Sequence, residues 1–293
     1  MMSYQLFVII APIFCCVLIG FVWSKRGHRY DNDFVSRIVL NIGAPCLIVS
    51  SLSKVDLNPA VLWQVGWVCL LITVLVAVIG IGIIKYLQLD LRTYLPSLMF
   101  PNVGNMGLPL CMFAFGEEGL ALGLAFFMLL SIAHLSVGIV LVSGGSLWQQ
   151  LRDTPIIYSV AIAIFLIITE LSLPLWITST VDLLAGITIP LMLITLGVSL
   201  ASLKVTTFST SLLFSVLRIG LGFSIAWLVT ELVGLTGVAR GVVLIQSSMP
   251  VAIFNYLFAA KYNRSPDQVA GMVVISTGLI FIILPFLLSV VLV

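Results

Sequence analysis

The chain has 293 residues, 61% of them apolar and 8% charged, with a mean hydropathy of +1.26. A water-soluble domain of that composition would have to bury nearly its whole length, so a soluble fold is excluded and lipid is the expected solvent. Thirteen basic and eleven acidic residues leave a formal charge of +2, which gives no support to a nucleic-acid partner.

Apolar runs of about 20 residues, the length that spans a bilayer as a helix, predict ten spans. They fall at 4–23, 35–52, 61–84, 94–115, 119–142, 155–172, 180–201, 208–230, 239–260 and 268–292. The first has no basic residue before it and Lys25 and Arg26 after it, the reverse of a signal peptide's charge order, so it reads as a retained helix. The fourth is interrupted by P-N-V-G-N-M-G-L-P over 101–109, and the ninth by Q-S-S-M-P-V-A-I-F-N over 246–255. A proline inside a helix frees the carbonyl four residues back, here Ser97 and Gln246, and in a membrane protein, water or ligand must meet that group. Paired broken helices in corresponding places of two halves point to a transporter's binding site.

Loop charges set the orientation. Lys25, Arg26, Arg29, Arg37, Lys85, Arg92, Arg152, Lys204, Lys261 and Arg264 fall in alternate loops on one side, only Lys54 and Arg240 on the other, and Arg218 in a span. The positive-inside rule then predicts both termini outside. The five cysteines lie in apolar runs without metal spacing and read as small hydrophobes.

Landmarks repeat between the halves. Pro45 in the second span answers Pro190 in the seventh, Pro101 answers Pro250, and Glu118 and Asp267 each follow their proline by seventeen residues. Five spans per repeat is an odd number, so the second copy enters the membrane from the opposite side. The expected fold class is an all-α membrane protein: ten transmembrane helices in two inverted five-helix repeats, 1–142 and 155–293, joined by a short cytoplasmic linker at 143–154.

All eleven acidic residues fall in loops or at span ends. With no mid-span carboxylate, sodium coupling is weakened as a reading, and no metal site or cofactor is expected. Arg218 is the one permanent charge deep in a span, roughly 15 Å from its end at 1.5 Å per residue; it reads either as counter-charge to an anionic substrate or as a clamp on freed carbonyls. His134, midway along the fifth span, reads as a possible proton site or as a hydrogen-bonded structural residue. Asn102, Asn105, Gln246, Ser247, Ser248 and Asn255 flank the two prolines, where they can satisfy freed backbone and, with the half-helix N-termini, meet a carboxylate. The rival class, a membrane-embedded enzyme, finds no metal motif, no aspartate pair, and no histidine after Ser199 in G-V-S-L.

The stretches L-P-S-L-M-F-P-N-V-G-N-M-G-L-P-L (95–110) and I-Q-S-S-M-P-V-A-I-F-N-Y-L-F-A-A-K-Y-N-R-S-P-D (245–267) resemble the two crossover-helix regions of the auxin efflux carrier family. That family includes the plant PIN-formed carriers and short bacterial members. The resemblance implies crossed broken helices, the fourth and ninth, meeting at Pro101 and Pro250 with substrate beside the crossing. It also implies a scaffold of helices 1, 2, 6 and 7, a mobile domain of 3–5 and 8–10 working as an elevator, and a homodimer through the scaffold. Asn102 matches the family's asparagine after the first crossover proline. Asn105 and Asn255 stand where the plant carriers are apolar, and the plants' long cytoplasmic loop is missing. Bacterial relatives are associated with dicarboxylates such as malate and malonate, so the resemblance implies a small organic acid as substrate. More distantly, the scaffold resembles the bile-acid sodium symporters, whose ninth helix carries a glutamate as sodium ligand; this chain has none between Gly241 and Ala260, so a sodium-coupled symporter ranks second. The expected protein is therefore a sodium-independent carrier of small organic anions in the cell membrane.

Overall fold

A bilayer offers no water to backbone N–H and C=O groups, so a chain this apolar has to satisfy them internally, and helices do so within one segment. The computed structural model describes residues 2–54, 59–146 and 174–292. Among these, every regular element is helical, and the sole extended pairing is an isolated bridge between Pro101 and Val251.

Helix α1 covers Met2–Lys25. Next, α2 (Asn32–Ile38) runs through a π-helical turn at Val39–Gly43 into α3 (Ala44–Lys54). Helix α4 is Pro59–Tyr86 and α5 is Leu91–Met99. A π turn at Val103–Gly107 leads into α6 (Leu108–Ala133), and another at His134–Gly138 leads into α7 (Ile139–Ser143). The later helices are α8 (Leu175–Ser202), α9 (Phe208–Val233), α10 (Gly237–Ser247), α11 (Ile253–Lys261) and α12 (Pro266–Val291). Acidic residues at helix starts have a structural task. Asp31 and Asp90 cap α2 and α5, each accepting a bond from a first-turn N–H (Phe34 at 3.0 Å, Thr93 at 3.1 Å).

Seven helices among the described residues are long and apolar enough to cross a membrane. One of them, Val103–Ser143, is 41 residues long, about 60 Å of helix and twice the roughly 30 Å of hydrocarbon it would cross. It does not continue as one rod. Gly116 takes φ 66 and ψ −150, a conformation that strains any residue with a Cβ, and the chain turns there just before Glu117 and Glu118. The turn falls between the expected fourth and fifth spans. The expected sixth span (155–172), and most of the linker before it, lie outside the described residues.

The protein is apolar on the outside, and its mostly apolar interior also buries polar groups. Phe7, Val78, Ile282 and Phe286 stand exposed, whereas Asn102, Arg218, Gln246, Asn255 and Ser276 are buried, as expected when the surrounding solvent is lipid. Helices α1 and α3 pack on α8, while α9 packs on α10 and α12, and α10 packs on α6. The first contact depends on small residues. A Cβ at Gly20 would overlap the Ile194 carbonyl, and one at Gly197 the Val17 carbonyl, so α1 and α8 meet backbone to backbone.

Candidate functional site

Proline has no N–H to donate, so two helices stop where their prolines enter. Helix α5 ends at Met99 and Phe100 turns to φ −110, ψ 98; α10 ends at Ser247 and helix resumes only at Ile253. The two extended stretches then pair with each other. Asn102 N donates to Pro250 O at 2.7 Å and Ala252 N to Phe100 O at 3.2 Å, while Val251 N donates to Ser276 Oγ at 3.0 Å. Each break thereby supplies the partners that the other lacks, in a place where water cannot.

Arg218 ties the breaks together. It is 1% exposed, and its guanidinium donates from Nη1 to Leu98 O and from Nη2 to Ser247 O. Both acceptors lie three residues before their prolines, so one side chain holds equivalent points of the two breaks. Four residues before Pro250, Gln246 O is met by Met249 N at 3.4 Å in a tightened turn, which shifts the carbonyl in need of a partner to Ser247. Asn255 works the same way, donating from Nδ2 to Phe100 O at 3.1 Å. Its Oδ1 lies 2.8 Å from His134 Nε2, and the His134 ring stacks on Phe100 with centroids 4.3 Å apart. Gln246 is fully buried, donates to Gly123 O at 3.3 Å and presses on Gly107, which has room only for a hydrogen.

Beside the paired breaks lies a cavity of about 280 Å³. One wall comes from α2 and α8, with Asn32, Asp33, Ser36, Arg37, Met192, Thr195 and Ser199. The other comes from Pro101, Asn102 and Asn105, from Phe127, Ser131 and His134, and from Ala252, Ile253 and Phe254 at the start of α11. Of the residues singled out in the sequence, the structure brings Pro101, Asn102, Asn105 and His134 to the cavity. Gln246, Ser247, Asn255 and Arg218 stand behind its wall, and Pro250 pairs with Asn102 through its carbonyl.

Besides Asn32, whose Oδ1 is buried without a donor, Asn102 is a lining residue with incomplete bonding. It is 5% exposed, and its Nδ2 is buried with no acceptor, a state that costs about 1–3 kcal/mol. Two helix starts line the cavity next to it. Neither α11 after Ala252 nor the π turn after Asn102 receives a side-chain cap, so their free N–H groups leave a partial positive charge there. Also in the lining, Asp33 and Arg37 pair at 2.7 Å, both largely exposed. Among the described residues no cluster of His, Cys, Asp or Glu suits a metal ion.

Sequence reasoning missed the α2 and α8 wall. Asp33 and Arg37 read as loop or span-end charges, Ser36 drew no reading, and of the pair Thr195 and Ser199 only the second was noted, in G-V-S-L. Their four-residue spacing, which puts both hydroxyls on one helix face, was the available signal. Tyr30 OH and Thr195 Oγ1, 2.7 Å apart, further join the start of α2 to α8.

A family profile described as membrane transport protein matches residues 5–146 and 139–288. An uncharacterised transporter of Methanocaldococcus jannaschii is 25% identical over 288 residues, covering 92% of this chain and 93% of the relative. Another, from Methanothermobacter thermautotrophicus, is 26% identical over 296 residues, covering 94% and 95%.

Proposed function

Because the chain belongs to the membrane transport protein family, that of the auxin efflux carriers, we propose that it is a secondary carrier of small organic anions, independent of sodium. The observation that carries this reading is the unpartnered amide nitrogen of Asn102, set in the cavity wall between two uncapped helix starts. A carboxylate placed there accepts from Asn102 and Asn105 and faces the positive ends of both half-helices. Phe127, Met192 and Phe254 then enclose the carbon skeleton. In this reading Gln246, Ser247, Asn255 and Arg218 hold the broken backbone in shape for the site. Asp33 lines the cavity with its carboxylate bound to Arg37, which favours sodium independence because that oxygen is already engaged.

The architecture we propose is ten helices in two inverted five-helix repeats that cross at Pro101 and Pro250. The matching positions of Leu98 and Ser247 relative to those prolines support the twofold relation. Transport follows an elevator scheme: α1–α3 and α8 stay fixed, α4–α7 and α9–α12 move, and the cavity lies between the groups. A homodimer forms through the first, second, sixth and seventh spans. In the cell membrane, with both termini outside, the Asp33–Arg37 end faces the cytoplasm and the structure is the inward-facing state.

Counterflow in proteoliposomes tests the function. Vesicles loaded with malonate, malate or benzoate should take up the same labelled acid, equally in sodium and in choline buffers. Exchange of none of the three acids would refute the carrier reading, and accumulation driven by a sodium gradient would refute sodium independence.

A further inference from the structure

An organic anion entering this cavity needs a positive charge that the lining does not supply in surplus. The permanent charges among the described lining residues are Asp33 and Arg37, which neutralise each other at 2.7 Å. Arg218 is absent from the lining, and its Nη1 and Nη2 are committed to Leu98 O and Ser247 O. That leaves His134 as the one described lining residue that can acquire a fresh positive charge.

Its hydrogen bonds fix which nitrogen is available. Phe100 O is a carbonyl and only accepts, so the Asn255 atom 3.1 Å from it is the amide nitrogen. The atom of Asn255 that faces His134 is therefore the carbonyl Oδ1, which also only accepts, and the ring nitrogen 2.8 Å from it must carry a hydrogen. Neutral His134 is thus the Nε2–H tautomer, and Nδ1 is the atom left with a lone pair. Phe100 stacks on the ring, while Phe254 and Phe258 meet it edge-on. With Asn255 they form the packed faces around His134, and none of the four is a titratable group.

We propose that His134 Nδ1 is the proton-coupling site of this carrier, so that one proton crosses with each organic anion. The inference rests on the carrier reading above. Nδ1 binds a proton from solvent while Nε2–H stays on Asn255. The resulting imidazolium donates Nδ1–H to a substrate carboxylate, so that one positive charge faces one carboxylate of the anion. On the other side of the membrane the carboxylate leaves and Nδ1 returns its proton to water. Imidazole and carboxylate end as they began, with one proton moved. Asn255 has two linked tasks in this scheme: it holds the broken backbone at Phe100 and keeps the coupling ring in one tautomer.

The test uses the full chain in proteoliposomes, with potassium and valinomycin holding the membrane potential at zero and protein-free vesicles subtracted. Labelled malate outside should accumulate inside by up to about tenfold for each pH unit that the interior is more alkaline, the limit for one proton per substrate. His134→Gln keeps an amide donor for Asn255 and has no titratable nitrogen, so its accumulation ratio should be one at every pH gradient, however fast it exchanges. This ratio is an equilibrium property, which a variant that was merely slowed would still reach. A His134→Gln ratio equal to that of the wild type would overturn the proposal, as would a wild-type ratio of one with counterflow intact. Absence of wild-type counterflow for malonate, malate and benzoate alike would sink the carrier reading and this proposal together. Should the variant not exchange at all, imidazole nitrogen NMR of His28→Asn protein decides, since the chain has two histidines. Malate should then protonate Nδ1 of His134, and an Nδ1 that stays bare with malate bound would overturn the proposal.

Discussion

Removing the Arg218 guanidinium separates its two possible roles. Arg218→Met keeps much of the volume and deletes the donors to Leu98 O and Ser247 O. Hydrogen bonds from a charged donor are worth about 1.5–3 kcal/mol each, so about 3–6 kcal/mol of interaction is lost. Against this stands relief of the several kcal/mol it costs to bury a cation, leaving a net destabilisation of about 2–3 kcal/mol. In a chain of this size that lowers Tm by about 5 °C. Arg218→Lys restores the charge as a single compact ammonium, which reaches one of the two carbonyls at most, and should recover less than half of the loss. Gly222→Ala attacks the same clamp without touching the charge, because its Cβ would overlap Ser247 O and Arg218 Nη2. Thermal unfolding in detergent should therefore fall for all three variants, while malate affinity in the protein that remains folded changes by less than about threefold. Unchanged Tm for Arg218→Met, with affinity reduced more than about tenfold and largely restored in Arg218→Lys, would show that Arg218 acts as counter-charge to substrate and would refute the clamp.

Other outcomes follow from the same geometry. Asn102→Ala should weaken malate binding by about 1–3 kcal/mol with no loss of Tm, because its amide nitrogen bonds no group of the protein; isothermal titration measures this. Gln246→Ala should do the opposite, lowering Tm by about 1 kcal/mol of stability through loss of the bond to Gly123 O and sparing affinity. Gly197→Ala should cost about 1–3 kcal/mol by forcing α1 and α8 apart, whereas Gly186→Ala on the same helix meets nothing within 4 Å and should be neutral or slightly stabilising in the same melt. Asp33→Asn frees Arg37 and should raise the malate on-rate a few-fold at low ionic strength, with the gain fading near 0.15 M salt; stopped-flow binding at two salt concentrations checks it.

Much of this protein is set by local chemistry and can be read without coordinates. Lipid as solvent follows from composition, and the broken helices follow from Pro101 and Pro250, because a missing N–H and a fixed φ act on the residues next to the proline. The need to satisfy freed carbonyls also follows, since it is a property of the backbone itself. Which groups satisfy them depends on contacts across 29 to 155 positions, and tertiary structure alone decided it. Sequence left Arg218 open between substrate and backbone; the approach of α9 to both breaks at once put it on Leu98 O and Ser247 O. Among the amides around the prolines, Asn102 and Asn105 face the cavity, whereas Gln246 and Asn255 face protein, because helix rotation and the pairing of 100–102 with 250–252 choose the face. The opposite wall, from Asp33 to Ser199, carried only the four-residue spacing of Thr195 and Ser199 as a mark in a linear reading. Its residues acquire meaning only when α2 and α8 are brought across the cavity from the breaks, a distance in sequence that local propensity does not reach.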